Sequence, residues 1–127
     1  MDTHVQACQS CAQKCKECRD EVKKCGESTA SCPSSLRKCS ACTDACVECI
    51  NQCEAHRKQC SIKRCLNSCK ECIEACERCA QTCEAYGQSC TADGRKCGNY
   101  AQQCIDDCNK CIDACNQCME SSCLDKV

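Results

Sequence analysis

Cysteine at positions 69, 72, 76 and 79 is the pattern that most constrains this chain. The segment reads Cys69-Lys-Glu-Cys72-Ile-Glu-Ala-Cys76-Glu-Arg-Cys79. At about 100° per residue, this spacing confines all four thiols to an arc of about 80° on a helix. The same C-x-x-C-x-x-x-C-x-x-C pattern recurs at Cys8–Cys18, Cys39–Cys49 and Cys108–Cys118. Four copies predict four helices, each carrying a stripe of sulfur where an ordinary amphipathic helix carries leucine.

The other core materials are scarce. The 127 residues, the size of one domain, include no Phe and no Trp, only Tyr86 and Tyr100 as aromatics, and 12 Ile, Leu and Val together. So few large apolar residues would ordinarily predict disorder. The 26 cysteines reverse that expectation, because cysteine is small and readily buried. Basic and acidic residues number 17 and 18 and are interleaved, for a net charge of −1. That balance gives no reason to expect nucleic acid or an anionic membrane as partner.

Met1–Ala7 lacks a basic n-region and an apolar h-region, and no apolar run approaches a membrane span. The expected location is a reducing cytoplasm, with thiols reduced or metal-bound.

Taken in order, the first helical segment runs over about 3–29 and holds Cys8, Cys11, Cys15, Cys18 and Cys25. Thr3 is its candidate N-cap and Gly26 a weak stop signal. Ser31-Cys32-Pro33-Ser34-Ser35 reads as a turn, with either serine able to cap the next helix. The second helix, about 36–60, carries Cys39, Cys42, Cys46, Cys49, Cys53 and Cys60. After a brief break near Ser61-Ile62, the third, about 63–89, carries Cys65, Cys69, Cys72, Cys76, Cys79 and Cys83, with Cys90 at its end. Thr91-Ala92-Asp93-Gly94 supplies turn chemistry. The fourth, about 95–123, holds Cys97, Cys104, Cys108, Cys111, Cys115, Cys118 and Cys123.

The repeat extends beyond cysteine. Cys46-Val-Glu-Cys-Ile-Asn-Gln-Cys53-Glu-Ala-His matches Cys76-Glu-Arg-Cys-Ala-Gln-Thr-Cys83-Glu-Ala-Tyr, and Cys72-Ile-Glu-Ala-Cys76 matches Cys111-Ile-Asp-Ala-Cys115. Motif starts lie 31, 30 and 39 residues apart, about one long helix plus a turn. Short connections favour antiparallel neighbours. The predicted fold is therefore all-α: a single domain over residues 1–127, an antiparallel up-down-up-down four-helix bundle with a cysteine-lined core. Antiparallel packing gathers Cys25, Cys32, Cys90 and Cys97, spaced once per seven residues along the stripe, toward one end. The opposite end is dense in thiols and also receives His4, His56 and Met119.

Three chemistries compete for the thiols. Inert core packing explains one or two cysteines poorly placed for anything else. It does not explain 26 at helical spacing, where Ala, Val or Leu would pack without a redox liability. A disulfide scaffold suits the even count. It wants Cβ atoms about 3.5–4.5 Å apart, however, whereas i,i+4 positions on a helix sit about 5–6 Å apart. Metal binding is the third. Two metal–sulfur bonds of about 2.3 Å span roughly 4.5 Å when collinear, a distance that i,i+4 cysteines reach with ordinary rotamers.

Each C-x-x-x-C is thus a two-thiolate clamp, and there are eight: Cys11/Cys15, Cys42/Cys46, Cys49/Cys53, Cys65/Cys69, Cys72/Cys76, Cys79/Cys83, Cys104/Cys108 and Cys111/Cys115. Two-coordinate thiolate suits a soft monovalent d¹⁰ ion, and Cu(I) is the physiological one. Many ions per chain read as a store, whereas catalysis needs one open site, so no catalytic residue is expected. Zinc, which wants four sulfurs converging from two or more helices, is the rival, either in a zinc-thiolate module or beside a thiol-redox role. Iron–sulfur clusters rank lower, because their usual C-x-x-C-x-x-C loop spacing is absent.

Repeated pairs such as Cys72/Cys76 and Cys111/Cys115 on four successive helices resemble the bacterial copper storage proteins. The resemblance covers nearly the whole chain and is closest to the cytosolic kind of that family. It implies a lumen of thiolates holding many Cu(I) ions, often in a homotetramer, with a copper chaperone or a cuproenzyme as exchange partner. It also implies that His or Met marks the end where copper passes. His4 and His56 read either as surface residues or, with Met119, as ligands at that mouth.

Overall fold

The computed structural model describes residues 3–27, 32–92 and 97–121. They form four helices: α1 Thr3–Glu27, α2 Cys32–Gln59, α3 Lys63–Ala92 and α4 Cys97–Glu120. Each helix packs against its neighbours in sequence, and α1 closes the ring against α4. Among the described residues there is no strand, and no helix is long and apolar enough to cross a membrane.

Sulfur contacts give the register. Cys11, Cys15 and Cys18 of α1 meet Cys46, Cys42 and Cys39 of α2 in descending order, so these helices run antiparallel. The same α1 residues meet Cys76, Cys79 and Cys83 of α3 in ascending order, so α3 is parallel to α1 across the lumen. Cys69, Cys72, Cys76, Cys79 and Cys83 pair with Cys118, Cys115, Cys111, Cys108 and Cys104 of α4 without a slip. Because every stripe is built on the same three-and-four spacing, one correct pairing sets all the others.

The core is consequently sulfur. Among the described residues twenty-one cysteines are buried, with Ala12, Val22, Ile73, Tyr86 and Ile112 as the apolar residues packed among them. Outside the stripe the helices are tied by polar contacts. Lys38 reaches Glu17 at 2.9 Å between α1 and α2, Arg19 donates to Asn109 at 2.8 Å between α1 and α4, and Thr82 donates to buried Asp107 at 2.6 Å between α3 and α4. Exposed pairs such as Lys38–Glu17 fix orientation more than they stabilise.

Two boundaries differ from the sequence expectation. α2 begins at Cys32, so Cys32–Ser35 are helical and not a turn. Pro33 allows this because the first helical turn needs no N–H from it and its fixed φ suits the helix. Ser35, read from sequence as a cap, is instead buried and donates its hydroxyl to the Glu21 carbonyl of α1 at 2.8 Å. At the other connection α3 continues to Ala92, which takes Thr91 and Ala92 out of the expected turn. Asp93 and Gly94 lie outside the described residues, as does Ser31. The α2–α3 turn is short: the Cys60 N–H bonds the His56 carbonyl at 3.0 Å, and the Ile62 carbonyl accepts from Leu66 N–H at 3.0 Å to start α3.

Candidate metal centre

The stripe positions stack into layers, each drawing one thiol from every helix. In the central layer Cys11 lies 3.7 Å from Cys46, 3.7 Å from Cys76 and 3.6 Å from Cys111, and Cys76 lies 3.6 Å from Cys111. One turn toward the α1 C-terminus, Cys15, Cys42, Cys79 and Cys108 are linked by contacts of 3.4 to 3.9 Å. A further turn along stand Cys18, Cys39, Cys83 and Cys104, with Cys18 and Cys39 closest at 3.0 Å. In the opposite direction Cys8 touches Cys49 at 3.8 Å, Cys49 touches Cys72 at 3.7 Å, and Cys72 touches Cys115 at 3.7 Å. The layers run into one another, so the interior is a column of sulfur.

Four thiolates around one ion at about 2.3 Å stand about 3.8 Å apart, and two collinear ones roughly 4.5 Å apart. Groups of four ligand atoms within 4.8 Å of one another include Cys11, Cys15, Cys46 and Cys111; Cys11, Cys76, Cys111 and Cys115; Cys15, Cys42, Cys46 and Cys79; and Cys8, Cys49, Cys53 and Cys72. Each of these combines one C-x-x-x-C clamp with two thiols from facing helices. The clamp read from sequence is therefore half of a site. Cys11, Cys15, Cys46 and Cys111 each serve two groups, which is the arrangement that bridging sulfur requires.

The thiols act as weak donors and acceptors toward one another. Hydrogen bonding with Cys108 and Cys11, together with burial, pushes the Cys15 thiol up, and bonds to Cys11 and Cys111 do the same for Cys76. Cys79 is held down by bonds from Cys108 and Cys111, and Cys72 is held down to about 6, first by Cys115. Burial opposes the thiolate form of all four, since a thiolate loses its water inside the column, but for Cys79 and Cys72 the hydrogen bonds prevail. Raised and lowered thiols therefore alternate through the column, each raised one sharing its proton with a lowered neighbour.

Both histidines are buried, His4 at 2% exposure and His56 at 4%, so the surface reading of these residues is overturned. His4 Nε2 lies 3.1 Å from Cys118, 3.7 Å from Cys69 and 3.8 Å from Cys8, and His56 Nε2 lies 3.1 Å from Cys65. Burial works against charge on His4, but its bonds to Cys118 and Cys69 outweigh that and raise its pKa to about 10. Register in the sequence carried the signal: His4 precedes Cys8 by four residues and His56 follows Cys53 by three, which keeps both on the inward face. Cys60 is buried in the turn after α2, and Met119 is partly buried against the core.

Sequence reasoning missed the residues that interrupt the stripe at the other end. Val22, Ser35 and Tyr86 occupy the stripe one turn beyond Cys18, Cys39 and Cys83, and all three are fully buried. The side chains of Cys25, Cys32, Cys90 and Cys97, and all of Cys123, lie outside the described residues. No known protein family, curated protein or solved structure matches the chain.

Proposed function

We propose that this protein stores and buffers Cu(I), many ions to a chain, on thiolates lining the bundle. The observation that carries the reading is the continuous column: buried cysteines from four helices, with sulfurs shared between successive four-ligand groups. A soft, monovalent d¹⁰ ion accepts two or three sulfurs and tolerates bridging, so it can fill such a column without isolated sites. Charge favours it too. Each Cu(I) replaces a thiol proton with a metal of the same charge, and one ion per thiolate leaves the buried column neutral.

The likeness to the bacterial copper storage proteins supports the same reading. It further proposes a cytoplasmic store, a homotetramer that light scattering would identify, and exchange of copper with a chaperone or a cuproenzyme. No chemical conversion is assigned to the column.

The test is anaerobic Cu(I) titration of the reduced protein against a competing Cu(I) chelator. Eight clamps set the local minimum, and bridging carries the expected capacity well beyond 8 equivalents. Saturation at one or two equivalents would refute storage. Zinc is the second reading, favoured by sulfur spacings in the central layers that match tetrahedral edges. Metal analysis of the native protein separates the two.

A further inference from the structure

The His end of the column differs in kind from the rest. His4, Cys8, Cys53 and Cys118 form a buried group whose four ligand atoms all lie within 4.8 Å of one another. It is a mixed group, three sulfurs and one imidazole nitrogen, and it draws on α1, α2 and α4. The His4 Nε2 distances of 3.1 Å to Cys118 and 3.8 Å to Cys8 bracket the roughly 3.6 Å edge of a tetrahedron with one nitrogen and three sulfur ligands. The His56 ring, stacked on His4 at 4.1 Å between centroids, fixes the plane in which Nε2 points.

We propose that this group is a zinc clasp, a Cys₃His site that holds one divalent ion and ties α1, α2 and α4 together at the mouth of the column. Three thiolates and a neutral imidazole are a closed tetrahedral set for zinc. The charge left over distinguishes it from the interior. Zinc on four thiolates leaves two negative charges buried, whereas zinc on this group leaves one. That one lies at the end where exposed Arg57, Lys58, Lys63 and Arg64 flank the α2–α3 turn. Binding releases the thiol protons and, because the site draws on three helices, adds its free energy to folding. Cys69, 3.7 Å from both His4 Nε2 and Cys118, is the neighbouring sulfur that joins the group to the rest of the column.

The inference stands apart from the copper reading and is tested separately, with Zn(II) and with Co(II) as its coloured substitute, on the reduced full chain. The expected result is one distinct first equivalent, tetrahedral by its cobalt ligand-field bands, that raises the melting temperature. His4→Ala should lose that equivalent and the thermal shift, while Gln102→Ala, exposed on α4 and outside the sulfur stripe, should keep both. X-ray absorption at the zinc edge of the wild-type one-zinc form should report three sulfurs and one nitrogen. A four-sulfur shell there, or an unaltered first equivalent in His4→Ala, overturns the proposal. The wild-type spectrum decides the matter even if the variant fails to fold. A failed zinc clasp with Cu(I) capacity intact would leave storage standing, and the reverse result would leave the clasp.

Discussion

The imidazoles of His4 and His56 stack face to face, their centroids 4.1 Å apart and their planes within 5° of parallel. One ring comes from the first turn of α1 and the other from the last turn of α2, so the pair covers the thiol-dense end of the lumen. Each ring also offers its Nε2 to a thiol, His4 to Cys118 and His56 to Cys65, both at 3.1 Å. The arrangement sets two imidazole ligands side by side among the thiols of that end.

Copper that enters or leaves at this end must therefore pass the stacked pair. An exchanging partner needs soft ligands that can be swapped stepwise, and thiolate, thioether and imidazole all serve. Substituting His4, His56 and Met119 together should slow Cu(I) removal by a small chelator while leaving most of the capacity intact. If removal rates stay unchanged, and changes at Cys32 and Cys90 slow it instead, the mouth is at the other end.

Cys11 tests whether the layers act as shared sites. Its sulfur contacts Cys46, Cys76 and Cys111 and belongs to two four-ligand groups. Cys11→Ala removes one sulfur and leaves a void of about its size, costing about 1 kcal/mol of metal-free stability. Cu(I) capacity should fall by more than the one ion that an isolated two-thiolate clamp would lose. A loss confined to the Cys11/Cys15 pair, with neighbouring sites filling normally, would mean the clamps work alone.

The far end gives the opposite signature. Tyr86, Val22 and Ser35 are fully buried there and supply no thiolate. Tyr86→Ala should cost roughly 3–5 kcal/mol of stability, as truncation of a large buried aromatic does. Copper capacity per folded chain should be unchanged. Chemical denaturation and Cu(I) titration on the same sample separate the two effects.

Much of this was legible before the structure, and the reason is geometric. A stripe with three-and-four spacing stays on one face of its helix, so the inward faces of Cys8–Cys18 and Cys108–Cys118 follow from the sequence. The layering across helices was less legible, because the spacing fixes where a thiol sits on its own helix and leaves open which thiols it meets. The histidines stay open between surface and ligand in the sequence because residue type argues for the one and register for the other; their burial removes the surface reading. Ser35 is likewise a candidate cap by residue type and a core position by register. Four residues before Cys39, it faces the core, and its hydroxyl is satisfied across the interface by Glu21.

Acid and alkali should act in opposite directions on the empty and the loaded protein. In the metal-free chain hydrogen bonds from neighbouring thiols, with burial added, raise column thiols such as Cys15 and Cys76 above an unfolded value of about 8.5. A raised pKa contributes stability that is fully present below the unfolded value and is lost as pH rises. His4 adds to the same trend: its contribution is present below 6.5 and fades as pH climbs through about 10. Cys72, held down to about 6, works the other way, with a contribution that is lost as pH falls through that value. Cys11, Cys42, Cys49, Cys79, Cys104 and Cys118 are held down as well by hydrogen bonds from their neighbours. Thiolates packed this closely cannot all stay charged, however, because each repels the next and desolvation opposes every one of them, so the net trend follows the raised thiols. The melting temperature of the reduced, metal-free protein should accordingly drop between about pH 8 and about pH 10. With copper bound the thiolates are already deprotonated, so alkali removes nothing, while acid returns protons to sulfur and expels metal. The loaded protein should therefore hold its melting temperature in alkali and lose both copper and stability toward low pH. Parallel thermal melts of the two forms across this range check the sign, and a metal-free protein that gains stability in alkali would show that its core is not made of neutral thiols.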